Sequence, residues 1–414
     1  MIGEIIAIGD ELTTGRINNT TSGYAAQKLH AAGHVIRSIH TIGDSFALIG
    51  PTIKQSLEQA DFVIVTGGLG CTTDDLTNQA VIESLQLKGV MHSRVVANIE
   101  KRLTNMDACK RAAVQKLAWL PENATILDET YRMAGYLLPH ADKPLFFLPG
   151  IPSQMEHLLT DKVLPALQEW YPQPGKHVCQ QLYRTFGLPE TEINARLVNL
   201  EETKSIQIGY YPVGCEVHVS LTITTDNQKT SAALFTATDE AIRSSLGTYL
   251  YATGGQSMAE TVGNLMLKKA GKGLLCVAES CTGGLIGSKL TQVAGSSQWF
   301  AGGVIAYSNA LKETLLNVDH ALLHNYGAVS PRTARAMAAR LAAKLKCSTA
   351  VSVTGIAGPG GGSDEKPVGT VYVGLFHNNK VKETLYHFTG TRTQIQEKTA
   401  YTALDTVRRA LLEN

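Results

Sequence analysis

The sequence has almost no net charge. Lys and Arg number 37 against 36 Asp and Glu, a formal balance of +1. Nothing global therefore draws the chain to nucleic acid or to an anionic membrane. Long apolar runs are missing as well. No 18 consecutive apolar residues occur, which argues against a transmembrane helix. The opening MIGEIIAIGDELTTG lacks a basic start, and acids interrupt its apolar run, so it does not read as a secretory signal. The seven cysteines, at 71, 109, 179, 215, 276, 281 and 347, include no C-x-x-C pair and are odd in number. A disulfide framework or structural zinc site is not expected, and a reducing cytoplasm is. His320 and His324 in HALLH have the i,i+4 spacing of a metal pair but lack the Glu of H-E-x-x-H, so they read as a solvated helix face.

What is present is ordinary globular material. Hydrophobic residues make up 44% and charged residues 18%, enough apolar side chain for real cores. A length of 414 residues suggests two to four domains. Strand and helix signals alternate from EIIAIG (4–9) through helical spacing at 21–32, HVIRSIHTIG (34–43), a helix at 46–60 and DFVIVTGGLG (61–70). PLFFLPGIP (144–152) and a helix at about 153–170 close a first domain, 1–172. The Pro- and Gly-containing YPQPGK (171–176) reads as a linker. A small α+β module follows over 176–250, then a hinge at YATGGQSM (251–258). The remainder, 255–414, alternates again: helix 257–271, strand 273–279, helix 283–292, strand 302–308, helix 331–345, strands 349–355 and 369–376, and a final helix 392–412. The fold class is α/β and multidomain, with largely parallel sheets.

AESCTGG (278–284) sets Ser280, Cys281 and Thr282 in a row ahead of Gly283 and Gly284. It sits where a strand meets a helix. Such a junction can hold a nucleophile at a sheet's carboxyl edge, and the glycines let backbone N–H groups approach an anionic ligand. The same residues also suit a plain helix cap. Tyr307 and Lys312 in YSNALK fall at the end of the next strand. They converge only if Tyr307 lies in the strand–helix turn. TGIAGPGGGSDEKPVGT (354–370) is a long glycine-rich loop, in which Thr354, Gly355 and Gly358 can wrap a polar ligand through backbone donors.

AESCTGG, AGSS, YSNALK, GAVS and TGIAGPGGGSDEKPVGTVY together resemble the carboxy-terminal domain of the CinA family (competence/damage-inducible protein A). The resemblance implies a nicotinamide mononucleotide deamidase in pyridine nucleotide salvage: a hydrolase that converts the carboxamide to a carboxylate, releases ammonia and needs no cofactor. It places the catalytic serine on Ser280, the tyrosine on Tyr307 and the lysine on Lys312. A serine attacking an amide needs a base, and a lysine kept neutral by burial can serve, with the tyrosine as relay. Backbone N–H groups around Cys281–Gly284 are candidate oxyanion donors, and these residues with Thr354, Gly355 and Gly358 form the expected substrate site. Cys281 is the competing nucleophile, because thiols have the lower intrinsic pKa. Thr282 reads as a cap or ligand contact. One departure is Tyr326, where the family usually has His before GAVS.

The rest of the chain resembles the same family's molybdopterin-binding-like amino-terminal domain and KH-like middle module. The resemblance implies hydrolysis of ADP-ribose to AMP and ribose 5-phosphate with Mg, Mn or Co, potassium being a further expected ion. IGDEL and TGGLGCTTDD provide Asp10, Glu11, Gly67, Gly68, Gly70, Asp74 and Asp75, with Asp10, Asp74 and Asp75 as the metal candidates. The glycine spacing is not G-x-G-x-x-G, so no Rossmann dinucleotide site is read. Ligand-side motifs depart from the family: Thr21 replaces Asn, Cys71 replaces Pro, Tyr131 replaces Gly and Gln154 replaces Glu. A weakened or lost pyrophosphatase follows. The middle module lacks a GXXG clamp and reads as a spacer or dimerisation element rather than an RNA reader. The family suggests a homodimer acting on small nucleotides, without nucleic acid or membrane. A non-catalytic nucleotide- or pterin-binding regulator is the third reading.

Overall fold

The computed structural model describes residues 1–101, 108–128, 135–172, 177–269 and 273–413. Two compact units result: residues 1–179 with 224–231, and residues 180–223 with 232–414.

The first unit is built on a six-stranded sheet. Its order is Val35–Ile42, Ile2–Ile8, Phe62–Thr66, Lys143–Leu148, Tyr136–His140 and Thr125–Ile126. The first four strands run parallel and the last two turn antiparallel. Apolar residues fill both sheet faces, as a parallel sheet covered by helices requires. Ile6, Val63 and Val65 face Ile49 and Ile53 of the Phe46–Gln59 helix. Ile5, Phe62 and Ile64 face Leu29 of the Thr20–Ala31 helix and Met155.

In the second unit, a five-stranded sheet runs Phe300–Ile305, Leu275–Glu279, Thr349–Gly355, Thr370–His377, Lys380–His387. The first three strands are parallel and the last two antiparallel. Val277, Val351 and Val353 pack against the Met258–Lys269 and Arg392–Leu412 helices. Cys276, Ala278 and Ala350 pack against the Pro331–Leu345 helix. That helix docks closely because Gly374 has no side chain; a Cβ there would stand 2.4 Å from the Ala334 carbonyl oxygen. Lys380–His387 was not expected from the sequence. Its exposed and half-buried positions largely alternate and none is fully buried, as suits an edge strand.

The middle segment contributes a four-stranded sheet, ordered Ile206–Val213, Glu216–Thr225, His177–Thr185, Leu250–Thr253. The stretch read as a hinge thus begins as a strand. It continues into Gly255 and Gln256, whose carbonyls accept from Arg184 Nη1 at 3.3 and 3.0 Å. Of the linker YPQPGK, residues 173–176 lie outside the described residues. Among the described residues, no helix is long and apolar enough to cross a membrane.

Candidate active site

Ser280 follows the Leu275–Glu279 strand directly, with parallel neighbours on both sides. Its side chain is therefore presented at the carboxyl edge of the sheet. Gly283 and Gly284 turn the chain with φ of 64° and 103°, a left-handed region glycine enters without penalty. The turn delivers the chain into the Leu285–Thr291 helix.

Lys312 comes to Ser280 from the next strand–helix junction. It lies on the Asn309–Leu316 helix, capped by Ser308 accepting from the Leu311 amide. Only 1% of Lys312 is exposed. Its Nζ sits 2.9 Å from Ser280 Oγ, 2.8 Å from the Ala306 carbonyl and 3.4 Å from the Tyr307 carbonyl. Burial pushes its pKa below an ordinary lysine value, with the Cys281 thiol acting in the opposite direction. Two carbonyls can take two N–H groups of a neutral amine, leaving its lone pair toward Ser280. The lysine is thus placed and tuned to accept the serine proton.

Tyr307 does lie in the turn between strand and helix, but its roles divide. The carbonyl faces Lys312, whereas the hydroxyl accepts from Arg392 Nη2 at 2.8 Å and the side chain is exposed. The expected proton relay through the tyrosine hydroxyl is not the arrangement seen. Arg392 was missed in the sequence. Its Nη1 also donates to the Gly358 carbonyl at 2.7 Å, so it links the Tyr307 turn to the glycine-rich loop. It opens the last helix, 112 residues beyond Ser280, and no local pattern marks it.

Cys281 is buried among the apolar side chains of the sheet face, and its carbonyl accepts from Gln396 Nε2 at 2.8 Å. Burial pushes its thiol up to about 12. The position beside Ser280 therefore holds an inert thiol, which leaves Ser280 as the more reactive candidate of the two. Thr282 is also buried and donates to the Glu279 carboxylate at 2.7 Å. Thr354, next to last in the strand that ends at Gly355, donates to the Ala328 carbonyl at 2.7 Å, which ties the start of the glycine-rich loop to the GAVS turn. Tyr326 stacks under the Arg332 guanidinium, 4.0 Å from its ring centroid.

The expected donor set at 281–284 needs correction. The Gly283 amide donates to the Ser280 carbonyl at 3.1 Å, and the Gly284 amide to Glu279 at 3.0 Å. The amides of Cys281 and Thr282 have no carbonyl or carboxylate acceptor among the described residues. They remain the candidate oxyanion donors.

In the amino-terminal unit, a cavity of about 470 Å³ opens at the carboxyl ends of the parallel strands. Glu11, Gly67, Gly68, Gly70, Asp74 and Asp75 line it. Gly67 is required there, since a Cβ would fall 2.1 Å from the Ile8 carbonyl oxygen. Asp44, not picked out in the sequence, also lines the cavity. Burial raises its pKa, and the neighbouring Asp10, Glu11 and Asp74 add to this. The three expected metal ligands do not assemble. Asp10 accepts from the Asp44 amide at 3.1 Å, and Asp75 from the Thr72 amide at 2.8 Å. Among the described residues, no group of three or more His, Cys, Asp or Glu is arranged to hold a metal. The carboxylates that line the cavity, Glu11, Asp44, Asp74 and Asp75, offer oxygen donors only. Tyr131 lies outside the described residues.

A chain that joins a six-stranded α/β unit to a small sheet module and a second α/β unit with a Ser–Lys pair has a defined class among known proteins. The probable molybdopterin-binding domain model matches residues 4–169, the KH domain model of damage-inducible protein CinA matches 180–252, and the CinA C-terminal domain model matches 255–411. The chain belongs to the CinA family. A CinA-like protein of Desulfotalea psychrophila is 45% identical over 411 residues, covering 99% of each chain. A CinA-like protein of Kosmotoga olearia is 36% identical, covering 100% of this chain and 99% of the relative. The crystal structure of competence/damage inducible protein CihA from Agrobacterium tumefaciens is 38% identical. It covers 38% of this chain and 97% of its own, with a TM-score of 0.36.

Proposed function

We propose that the carboxy-terminal unit hydrolyses the carboxamide of nicotinamide mononucleotide to nicotinate mononucleotide and ammonia. The observation that carries this is the pairing of Ser280 Oγ with a buried, pKa-lowered Lys312 Nζ at 2.9 Å. Ser280 Oγ attacks the carboxamide carbon while Lys312 takes its proton. The oxygen of the tetrahedral intermediate gains charge and is held by the Cys281 and Thr282 amides; such a donor is typically worth roughly 10²–10³ in rate. Lys312 returns the proton to the leaving nitrogen, ammonia departs and Ser280 carries the acyl group. Water then attacks that ester, again giving its proton to Lys312, which passes it to the departing Ser280 Oγ and regenerates the serine. No cofactor enters these steps. Free thiols at Cys71, Cys179, Cys215, Cys276, Cys281 and Cys347 fit a reducing, cytoplasmic setting.

Ammonia release from nicotinamide mononucleotide by the wild type, Ser280→Ala and Cys281→Ala tests the reading. Ser280→Ala abolishes release and Cys281→Ala retains most of it; the reverse pattern overturns the assignment of the nucleophile. The amino-terminal cavity supports a weaker second reading, ligand binding with little pyrophosphate cleavage. Among the described residues its charged lining is Glu11, Asp44, Asp74 and Asp75, four carboxylates that would repel a bare pyrophosphate. Incubation with ADP-ribose and Co²⁺ or Mg²⁺ is expected to release AMP slowly or not at all, and brisk release refutes this.

A further inference from the structure

Glu279 is the last residue of the Leu275–Glu279 strand and the immediate neighbour of Ser280. It is 1% exposed, so a carboxylate is enclosed beside the proposed nucleophile. An enclosed carboxylate needs donors, and this one has four. Thr282 Oγ1 reaches Oε2 at 2.7 Å, the Gly284 amide at 3.0 Å and the Ile286 amide at 3.1 Å. The Gly287 amide reaches Oε1 at 2.8 Å. These donors come from every part of the segment that turns Ser280 into the following helix.

The consequence is a division of labour among the backbone amides. Glu279 occupies Gly284, Ile286 and Gly287, so the start of the helix is not open to a substrate anion. What Glu279 leaves open are the two amides directly after Ser280. Their direction is set by the 281–284 turn, which Glu279 grips through Thr282 on one side and Gly284 on the other. Glu279 also opposes ionisation of the Cys281 thiol, since a thiolate there would meet a like charge.

The geometry points to Glu279 as a positioning residue: its carboxylate clamps the 280–287 turn so that the Cys281 and Thr282 amides are aligned on the developing oxyanion and Ser280 stays on Lys312. This rests on the amide hydrolysis proposed above, yet the clamp can be read without it.

The test is Glu279→Gln in the full chain, with kcat and KM for ammonia release and amide hydrogen exchange at 284, 286 and 287. Glutamine keeps the shape, but its NH₂ must face an N–H or O–H donor whichever way it turns. The expected result is a kcat lower by about 10²-fold with KM little changed and faster exchange at the three amides. Unchanged kcat, or a loss that merely follows the folded fraction in a thermal melt, overturns the assignment. If Glu279→Gln does not fold, Thr282→Val and Thr282→Ser decide. Valine should lower kcat and serine restore it, and equal activity of the two overturns the proposal. A wild type that releases no ammonia would sink the hydrolytic reading alone. Amide exchange then judges the clamp, and wild-type exchange rates in Glu279→Gln would refute it.

Discussion

At the scale of single residues, the site depends on one desolvated amine. Because burial lowers the Lys312 pKa, the neutral base accumulates at a lower pH than for an exposed lysine. The kcat for ammonia release should rise with pH and level off through a midpoint below the ordinary lysine value. A profile that still climbs at that value would contradict Lys312 as the base. The stability linkage has the same sign. The unfolded chain binds this proton more tightly than the folded one, so stability attributable to Lys312 increases as pH rises from the lowered pKa to the ordinary one. Tyr307 gives a contrast. Its hydroxyl bonds to Arg392 rather than to Lys312. Tyr307→Phe should therefore keep more of kcat than Lys312→Met, a comparison made at saturating substrate.

At the scale of elements, Gly374 is the tight point. The Pro331–Leu345 helix lies against the sheet with Ser352 Oγ donating to the Ala334 carbonyl at 2.6 Å, and the missing side chain at 374 permits that approach. Gly374→Val forces the helix outward and should cost at least about 1–3 kcal/mol, measurable by denaturant unfolding. Elements such as this were largely readable from the sequence. The spacing predicts 331–345, 349–355 and 392–412, and the structure has Pro331–Leu345, Thr349–Gly355 and Arg392–Leu412. Periodicity reports burial on one face, and these elements have such a face. Lys380–His387 has little buried face to report. The site was readable where its residues sit in compact motifs, Ser280 in AESCTGG and Lys312 in YSNALK. Arg392 and Asp44 were not readable, because only tertiary folding brings them in. Glu279 stood within the motif, but its function depends on where four donors point, and composition does not encode that.

At the scale of the whole molecule, the middle segment and the carboxy-terminal α/β segment share one compact unit. Glu216 is a principal tie. Its buried carboxylate takes a two-pronged bond from Arg184 at 2.9–3.0 Å, with Tyr251 Oη and His218 Nε2 each 2.8 Å away. Arg184 in turn holds the Gly255 and Gln256 carbonyls. Burial alone would raise the Glu216 pKa, but bonds from Tyr401, Tyr251 and His218 and the Arg184 charge hold it below the usual carboxylate range. Its contribution is therefore present above the unfolded carboxylate value and is lost as pH falls through the folded one. Glu216→Ala should remove roughly 3–5 kcal/mol, because it strands a buried guanidinium. Glu216→Gln should flatten the acid limb of the unfolding curve.

The buried thiol at 281 bears on how the proposed hydrolase could be inhibited or damaged. With its sulfur enclosed and its pKa pushed up to about 12, the side chain beside the attacking serine offers almost no thiolate to iodoacetamide or to hydrogen peroxide. Activity should outlast both, and boronates or fluorophosphonates, which seek an activated hydroxyl, are the reagents to which this site is open.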